Sequence, residues 1–109
     1  FLQERSSVDV STFVQLTKDF ENIIGIKDAS GDMLQAQEII KYCSNNIQLI
    51  SGDDALTLPM ILAGAVGTIS VLGNALPIPL IKMIHFVEKG DLNKAYELHY
   101  QLLDLINLL

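Results

Sequence analysis

Three short apolar runs constrain this chain more than any other feature: Ile23 to Lys27, Ile47 to Ser51 and Gly67 to Leu72. Each is rich in β-branched residues and almost continuously apolar. That pattern marks strands covered on both faces, as in parallel sheets, rather than the in-out alternation of a strand with one wet face. The runs begin at 23, 47 and 67, so 24 and 20 residues separate their starts and no tight hairpin can join them. Parallel strands need a crossover of this length, usually a helix.

Helical patterns fill the intervals. Met33, Ala36, Ile39, Ile40 and Cys43 fall on one face of a helix over 33–43. A second helix is predicted over Thr57–Ala63, with Pro59 in its first turn and Gly64 as its stop. After the third run, Pro77 and Pro79 precede a helix over Leu80–Glu88 that ends at Gly90. Asp91 then reads as the N-cap of a further helix, with Leu92, Ala95, Leu98, Leu102, Leu105, Ile106 and Leu109 on its buried face. Ahead of the first run, Ser11 is placed as the cap of a short helix to Asp19, with Phe13, Val14 and Leu16 turned inward. The order α-β-α-β-α-β-α-α puts the chain in the α/β class. Three strands fit a piece of a barrel or of an open doubly wound sheet.

Composition narrows the function classes. Of 109 residues, 50% are hydrophobic and 18% charged, against about a quarter charged in an ordinary soluble domain. Such a chain either buries most elements on both faces or is cut from something larger. The start at Phe1 and the finish at Leu108-Leu109, inside an apolar helical pattern, both read as cuts. Seven basic against thirteen acidic residues give a net charge of −6, the wrong sign for displacing counterions from nucleic acid. No apolar run reaches the length of a membrane span, and Phe1 to Arg5 lacks the basic-then-apolar form of a secretory leader. Cys43 is the single cysteine, so neither an intrachain disulfide nor a cysteine metal cage is available. A cytoplasmic location is expected.

In α/β folds ligands lie beyond the carboxyl ends of the strands, so chemistry is sought there. The first run ends Gly25-Ile26-Lys27-Asp28-Ala29-Ser30-Gly31-Asp32. Alternation places Gly25 and Lys27 on one face. If that face points into a barrel, desolvation favours the neutral amine, which can attack a ketone and form a Schiff base. The plain alternative is a lysine that leaves the strand end for solvent. The second run ends Ser51-Gly52-Asp53-Asp54: Gly52 allows a close backbone approach, and the carboxylates can cap the next helix or orient a ligand. In Gly67-Thr68-Ile69-Ser70-Val71 no side chain is an evident catalyst, but the backbone could meet a small ligand. His99, with Tyr96 and Tyr100, is assigned to a helical surface or a subunit contact.

Taken together, the stretches 23–32, 51–54 and 67–71 resemble the dihydrodipicolinate synthase / N-acetylneuraminate lyase family, and more its synthase branch. Gly52 and Ile69 follow Lys27 by 25 and 42 residues, intervals similar to the family's own. The resemblance implies a (β/α)8 barrel of which this chain is the C-terminal part, about strands 6–8, followed by the start of a C-terminal helical extension. Residues 1–90 would be partial barrel and 91–109 the helical region. It also implies that Lys27 forms the imine with pyruvate, that the backbone carbonyl of Ile69 faces the bound keto acid, and that Gly52 lines the same pocket. The implied reaction condenses pyruvate with aspartate semialdehyde on the diaminopimelate route to lysine. It needs no metal or organic cofactor, because the lysine imine is the electron sink, and the full-length protein is expected as a homotetramer.

Phe1-Leu2-Gln3-Glu4-Arg5-Ser6 stands where the family carries an N-V-P-x-R-T-like segment; the arginine and a hydroxyl match, and Arg5 is not assigned to the semialdehyde. The family's proton-relay tyrosine and threonines come from earlier strands, and Tyr42, Tyr96 and Tyr100 lie in predicted helices. Near alternatives are a sialic-acid or keto-deoxy-sugar-acid lyase, which share the lysine. A non-catalytic receiver-like or flavodoxin-like module is disfavoured by the order of Lys27, Asp53 and Asp54 and by the lack of a glycine-rich phosphate loop. A few strands cannot close an eight-stranded barrel, so the chain alone is expected to be inactive and to associate through its open face and edges.

Overall fold

The structure, a computed structural model, describes residues 2–4 (as backbone), 9–43 and 47–108. In chain order the elements are β1 (Leu2–Glu4), α1 (Val10–Asp19), β2 (Gly25–Asp28), α2 (Met33–Tyr42), β3 (Gln48–Ser51), a 3-10 turn (Asp54–Leu56), α3 (Thr57–Ala63), β4 (Gly67–Thr68), α4 (Leu72–Ala75), α5 (Pro77–Glu88) and α6 (Leu92–Ile106). The described strands form one parallel sheet in the order β1-β2-β3-β4. Consecutive strands lie side by side, and helices make every crossover, as parallel pairing demands.

The three apolar runs are strands, as predicted, but a fourth precedes them. Leu2–Glu4 pairs with Ile26–Asp28. Three residues with Gln and Glu among them carry no strand signature; register against β2 makes them one. The third run is shorter than predicted. Pairing stops at Thr68, and Leu72 already opens α4. Two further starts differ. Asp9 rather than Ser11 caps α1, accepting from Ser11 N at 3.3 Å while the Ser11 hydroxyl donates to its other oxygen at 2.7 Å. Helix α5 begins at Pro77 rather than Leu80, because a proline in the first turn has no needed N–H to lose.

One face of the sheet is dry. Ile26 and Leu49 pack there with Phe13 of α1, Ala36 and Ile39 of α2 and Met60 of α3. The face predicted for α2 is the buried one, with Met33, Ile40 and Cys43 packed partly against this core. Burying each large side chain contributes about 1.5–3 kcal/mol. A second cluster joins Leu58, Leu72, Leu80, Met83, Ala95 and Leu102, so α3, α4, α5 and α6 share one core. Asp91 caps α6 by accepting from Lys94 N at 3.2 Å. Of the face predicted for α6, Ala95 and Leu102 are buried and Leu98 and Ile106 partly so, while Leu92 and Leu105 are exposed; Leu109 lies outside the described residues. No helix among the described residues is long and apolar enough to cross a membrane.

Candidate functional site at the carboxyl ends of the strands

The ends of β2, β3 and β4 are level. Asp28 pairs with Ser51, and Ser51 with Thr68. The ladder runs one residue further on each side: Gly52 N donates to Asp28 O at 2.8 Å, and Ile69 N donates to Ser51 O at 2.9 Å. Lys27, Gly52 and Ile69 thus stand at one end of one sheet. Ile26 and Asp28 turn into the helix side, where both are buried, so alternation sends Lys27 to the other face, beside Ile50 of β3.

Gly52 lies against the Lys27 side chain. A Cβ built on Gly52 would come 2.6 Å from Lys27 Cε, 3.0 Å from Lys27 Cγ and 2.9 Å from the Ala29 Cβ. The absent side chain is therefore what lets the lysine run along the end of β3. Lys27 is half-buried, and among the described residues its ammonium group makes no ion pair.

The loop after β2 is built by its own polar side chains. Asp28 Oδ1 accepts from Ser30 N at 2.8 Å and from the Ser30 hydroxyl at 2.6 Å. Asp32 N donates to Ser30 Oγ at 3.2 Å, and Gly31 takes φ +77°, a left-handed conformation suited to glycine. Asp32 then caps α2, accepting from Leu34 N and Gln35 N at 3.0 and 3.2 Å. Asp28 Oδ2, buried, has no hydrogen-bond partner among the described residues. These side chains shape the turn that follows Lys27 and hold the backbone of β2 at its end.

Below the end of β3 sits a buried hydroxyl cluster. Thr57 Oγ1 lies 3.1 Å from Ser51 Oγ and 3.3 Å from Thr68 Oγ1, and donates to Asp53 O at 3.1 Å. Ser51 and Thr57 are fully buried, and Thr68 Oγ1 donates to Ser51 O at 3.2 Å. The cluster ties β3, β4 and α3 together beneath the loop that carries Gly52.

The two aspartates divide their work. Asp53 caps the 3-10 turn, accepting from Ala55 N at 3.0 Å. Asp54 reaches the next loop, where one carboxylate oxygen accepts from the Ser70 hydroxyl and the other from Leu72 N at 3.0 Å. The sequence offered capping or ligand orientation for this pair; it contained no signal for the long-range bond to Ser70.

Other candidates lie elsewhere. Arg5 falls outside the described residues. Tyr42, Tyr96 and Tyr100 are on helices, Tyr42 and Tyr100 exposed. His99 departs from the surface assignment: it is buried on α6, with the Tyr96 ring edge-on at 6.0 Å, and burial pushes its pKa below the usual histidine value. An open concavity of about 500 Å³ between α1 and α2, lined by Val10, Val14, Glu38 and Tyr42, touches none of the strand ends. Ile69 and Val71, just after β4, are exposed.

The arrangement has known counterparts. The profile of the dihydrodipicolinate synthetase family matches residues 3–109. The 4-hydroxy-tetrahydrodipicolinate synthase of Endomicrobium trichonymphae is 45% identical over 107 residues, covering 96% of this chain and 36% of its own length. Among solved structures, dihydrodipicolinate synthase from Aquifex aeolicus superposes with a TM-score of 0.86 at 38% identity, over 93% of this chain and 34% of that one. A prophage protein of the same family from E. coli K12, solved in complex with pyruvate, superposes with a TM-score of 0.82 at 26% identity, over 88% of this chain and 33% of that one. The chain spans about a third of the length of these relatives, and its parallel strands align with part of their barrel. With a family profile matched from residue 3 to the last residue and a shared fold, the chain belongs to the dihydrodipicolinate synthetase family.

Proposed function

We propose that this chain carries the imine-forming part of a pyruvate-dependent lyase that condenses pyruvate with aspartate semialdehyde, on the diaminopimelate route to lysine. The observation that carries this reading is the contact between Lys27 and Gly52 at the carboxyl end of a parallel sheet. A primary amine lies there on the face away from the helices, beside a glycine that leaves room for it. The names of the synthase relatives and the pyruvate complex of the prophage relative point the same way.

On this reading the neutral Lys27 amine attacks the keto carbon of pyruvate. The carbonyl oxygen leaves as water with one amine proton and one proton supplied by solvent or by the relay, and the imine keeps the other amine proton on Nζ. Its positive nitrogen draws electrons from the adjacent methyl carbon, which loses a proton and becomes the nucleophile toward the aldehyde. No metal or organic cofactor is required for these steps. The Ile69 carbonyl and the Gly52 backbone border the keto acid. The proton relay and most of the aldehyde site come from strands outside this chain. With β2, β3 and β4 as the sixth to eighth strands of the barrel, β1 takes the place of the fifth. Residues 1–90 are then barrel and 91–109 the beginning of the C-terminal helices, in a protein that assembles as a homotetramer. A sialic-acid or keto-deoxy-sugar-acid lyase would share the lysine but not the relatives' names.

Borohydride trapping tests the proposal. The chain is incubated with pyruvate, reduced, and mapped by peptide mass spectrometry, alone and completed with the N-terminal part of the Aquifex aeolicus relative. A pyruvate-derived adduct on Lys27 that vanishes in Lys27→Arg is the expected result. A folded, completed protein that gives no adduct would end the Schiff-base reading.

A further inference from the structure

We infer that Asp54 is a positioning residue for the keto-acid site, acting through the backbone of Ile69 and Ser70; this rests on the reading of Lys27 and Ile69 given above.

The segment after β4 is held from two sides. On its N-terminal side, Ile69 N donates to Ser51 O at 2.9 Å, and Thr68 Oγ1 donates to the same carbonyl at 3.2 Å. On its C-terminal side the Ser70 hydroxyl donates to Asp54, whose second oxygen accepts from Leu72 N at 3.0 Å. Ser70 Oγ in turn accepts from Gly73 N at 2.8 Å. The peptide plane that carries the Ile69 carbonyl lies between these anchors, and it joins Ile69 directly to Ser70.

This anchoring is needed because little else holds the segment. The Ile69 and Val71 side chains are 55% and 76% exposed, so apolar packing does not fix 69–71. Gly73 is tightly fitted: a Cβ there would lie 3.1 Å from Ser70 Cβ and 3.2 Å from Leu80 Cδ2. The loop therefore closes on Ser70 through Gly73 and on Asp54 through Ser70. Charge-assisted bonds from a carboxylate to a hydroxyl and a backbone amide are among the stronger local restraints available. Asp54 follows Gly52 by two residues, so one short segment sets both the floor beside Lys27 and the direction of the Ile69 carbonyl. Nothing in this arrangement places Asp54 against the substrate; its carboxylate is occupied by Ser70 and Leu72.

The restraint itself is read in this chain by hydrogen exchange. Asp54→Ala should speed exchange at the Leu72 and Gly73 amides while leaving those of β2 unchanged. Its consequence is read in the completed protein used for trapping. Asp54→Ala and Ser70→Ala should raise the pyruvate concentration for half-maximal adduct by about tenfold, since small misplacement of a positioning group costs that much or more. Asp54→Asn, which keeps one acceptor for Leu72 N, should recover most of the loss, with unfolding midpoints close to the parent's. Unchanged adduct formation in folded Asp54→Ala overturns the inference, as does a loss confined to the aldehyde KM. No adduct in the parent protein overturns the Schiff-base reading and the positioning role with it. Adduct in the parent with unchanged exchange in the variant overturns the positioning role alone.

Discussion

Gly52 and Lys27 are sterically matched: the position a Cβ would take on Gly52 is 2.6 Å from Lys27 Cε. Lys27 lies in β2 and Gly52 directly follows β3, 25 positions on in sequence, and they meet only because β2 and β3 pair in register. The same Cβ would lie 2.9 Å from that of Ala29. The flexible end of a lysine can move aside, whereas Ala29 Cβ is fixed to the backbone.

Gly52→Ala should therefore displace Lys27 and strain the loop after β2 together. In the completed protein we expect borohydride-trapped adduct to fall by at least about tenfold, with about 1–3 kcal/mol of destabilisation from overpacking. Trapping rate and denaturant midpoint measured on the same sample check both effects. Full adduct yield in the variant would show that Lys27 reaches its position by another path.

Thr57 is the centre of the buried hydroxyls, bonded to Ser51, Thr68 and Asp53. Thr57→Val keeps its shape and removes that centre. We expect a loss of about 1–3 kcal/mol, the cost of leaving buried polar groups short of partners. Chemical denaturation should show a lower midpoint with the slope unchanged. Wild-type stability in Thr57→Val would mean that Ser51 and Thr68 re-pair without it.

Burial lowers the pKa of His99 below the usual histidine value. The sign follows from which state takes the proton first. As pH falls through about 6.5 the unfolded chain binds a proton that the folded chain resists, so stability is full above that pH and declines below it until the folded pKa is passed. Thermal unfolding followed between pH 8 and pH 5 (roughly the histidine range) should show this decline, and His99→Leu should flatten it. An unaltered slope in that variant would assign the dependence to other groups.

The edge strands β1 and β4 have no further partner among the described residues, and Ile24, Val66, Ile69 and Val71 are exposed. Unpaired strand edges beside apolar surface favour association. Sedimentation velocity on this chain alone should show concentration-dependent association at about micromolar levels. A monomer that unfolds cooperatively under those conditions would contradict the expectation. Completion with the Aquifex aeolicus part should reduce the tendency.

Periodicity and punctuation were enough to find β2, β3, β4 and the main helices, because these are local properties. Ala36 and Ile39 on one face, Gly64 with its φ of +131° and Asp91 at the start of α6 each act through neighbours a few residues away. Lys27 ends an apolar run, Gly52 follows one and Ile69 lies within the third; Gly52 and Ile69 were singled out by the family resemblance rather than by a local pattern. Tertiary structure alone decided the rest. Leu2–Glu4 is a strand only in register with β2, and His99 is buried only because α6 packs as it does. Asp54 could have capped a helix by its sequence. It holds Ser70 instead, sixteen residues on, because parallel pairing of β3 and β4 brings the two loops together and a half-buried carboxylate keeps the donors it finds there. Pairing between distant segments is set by the packing of the whole sheet, which no local pattern encodes.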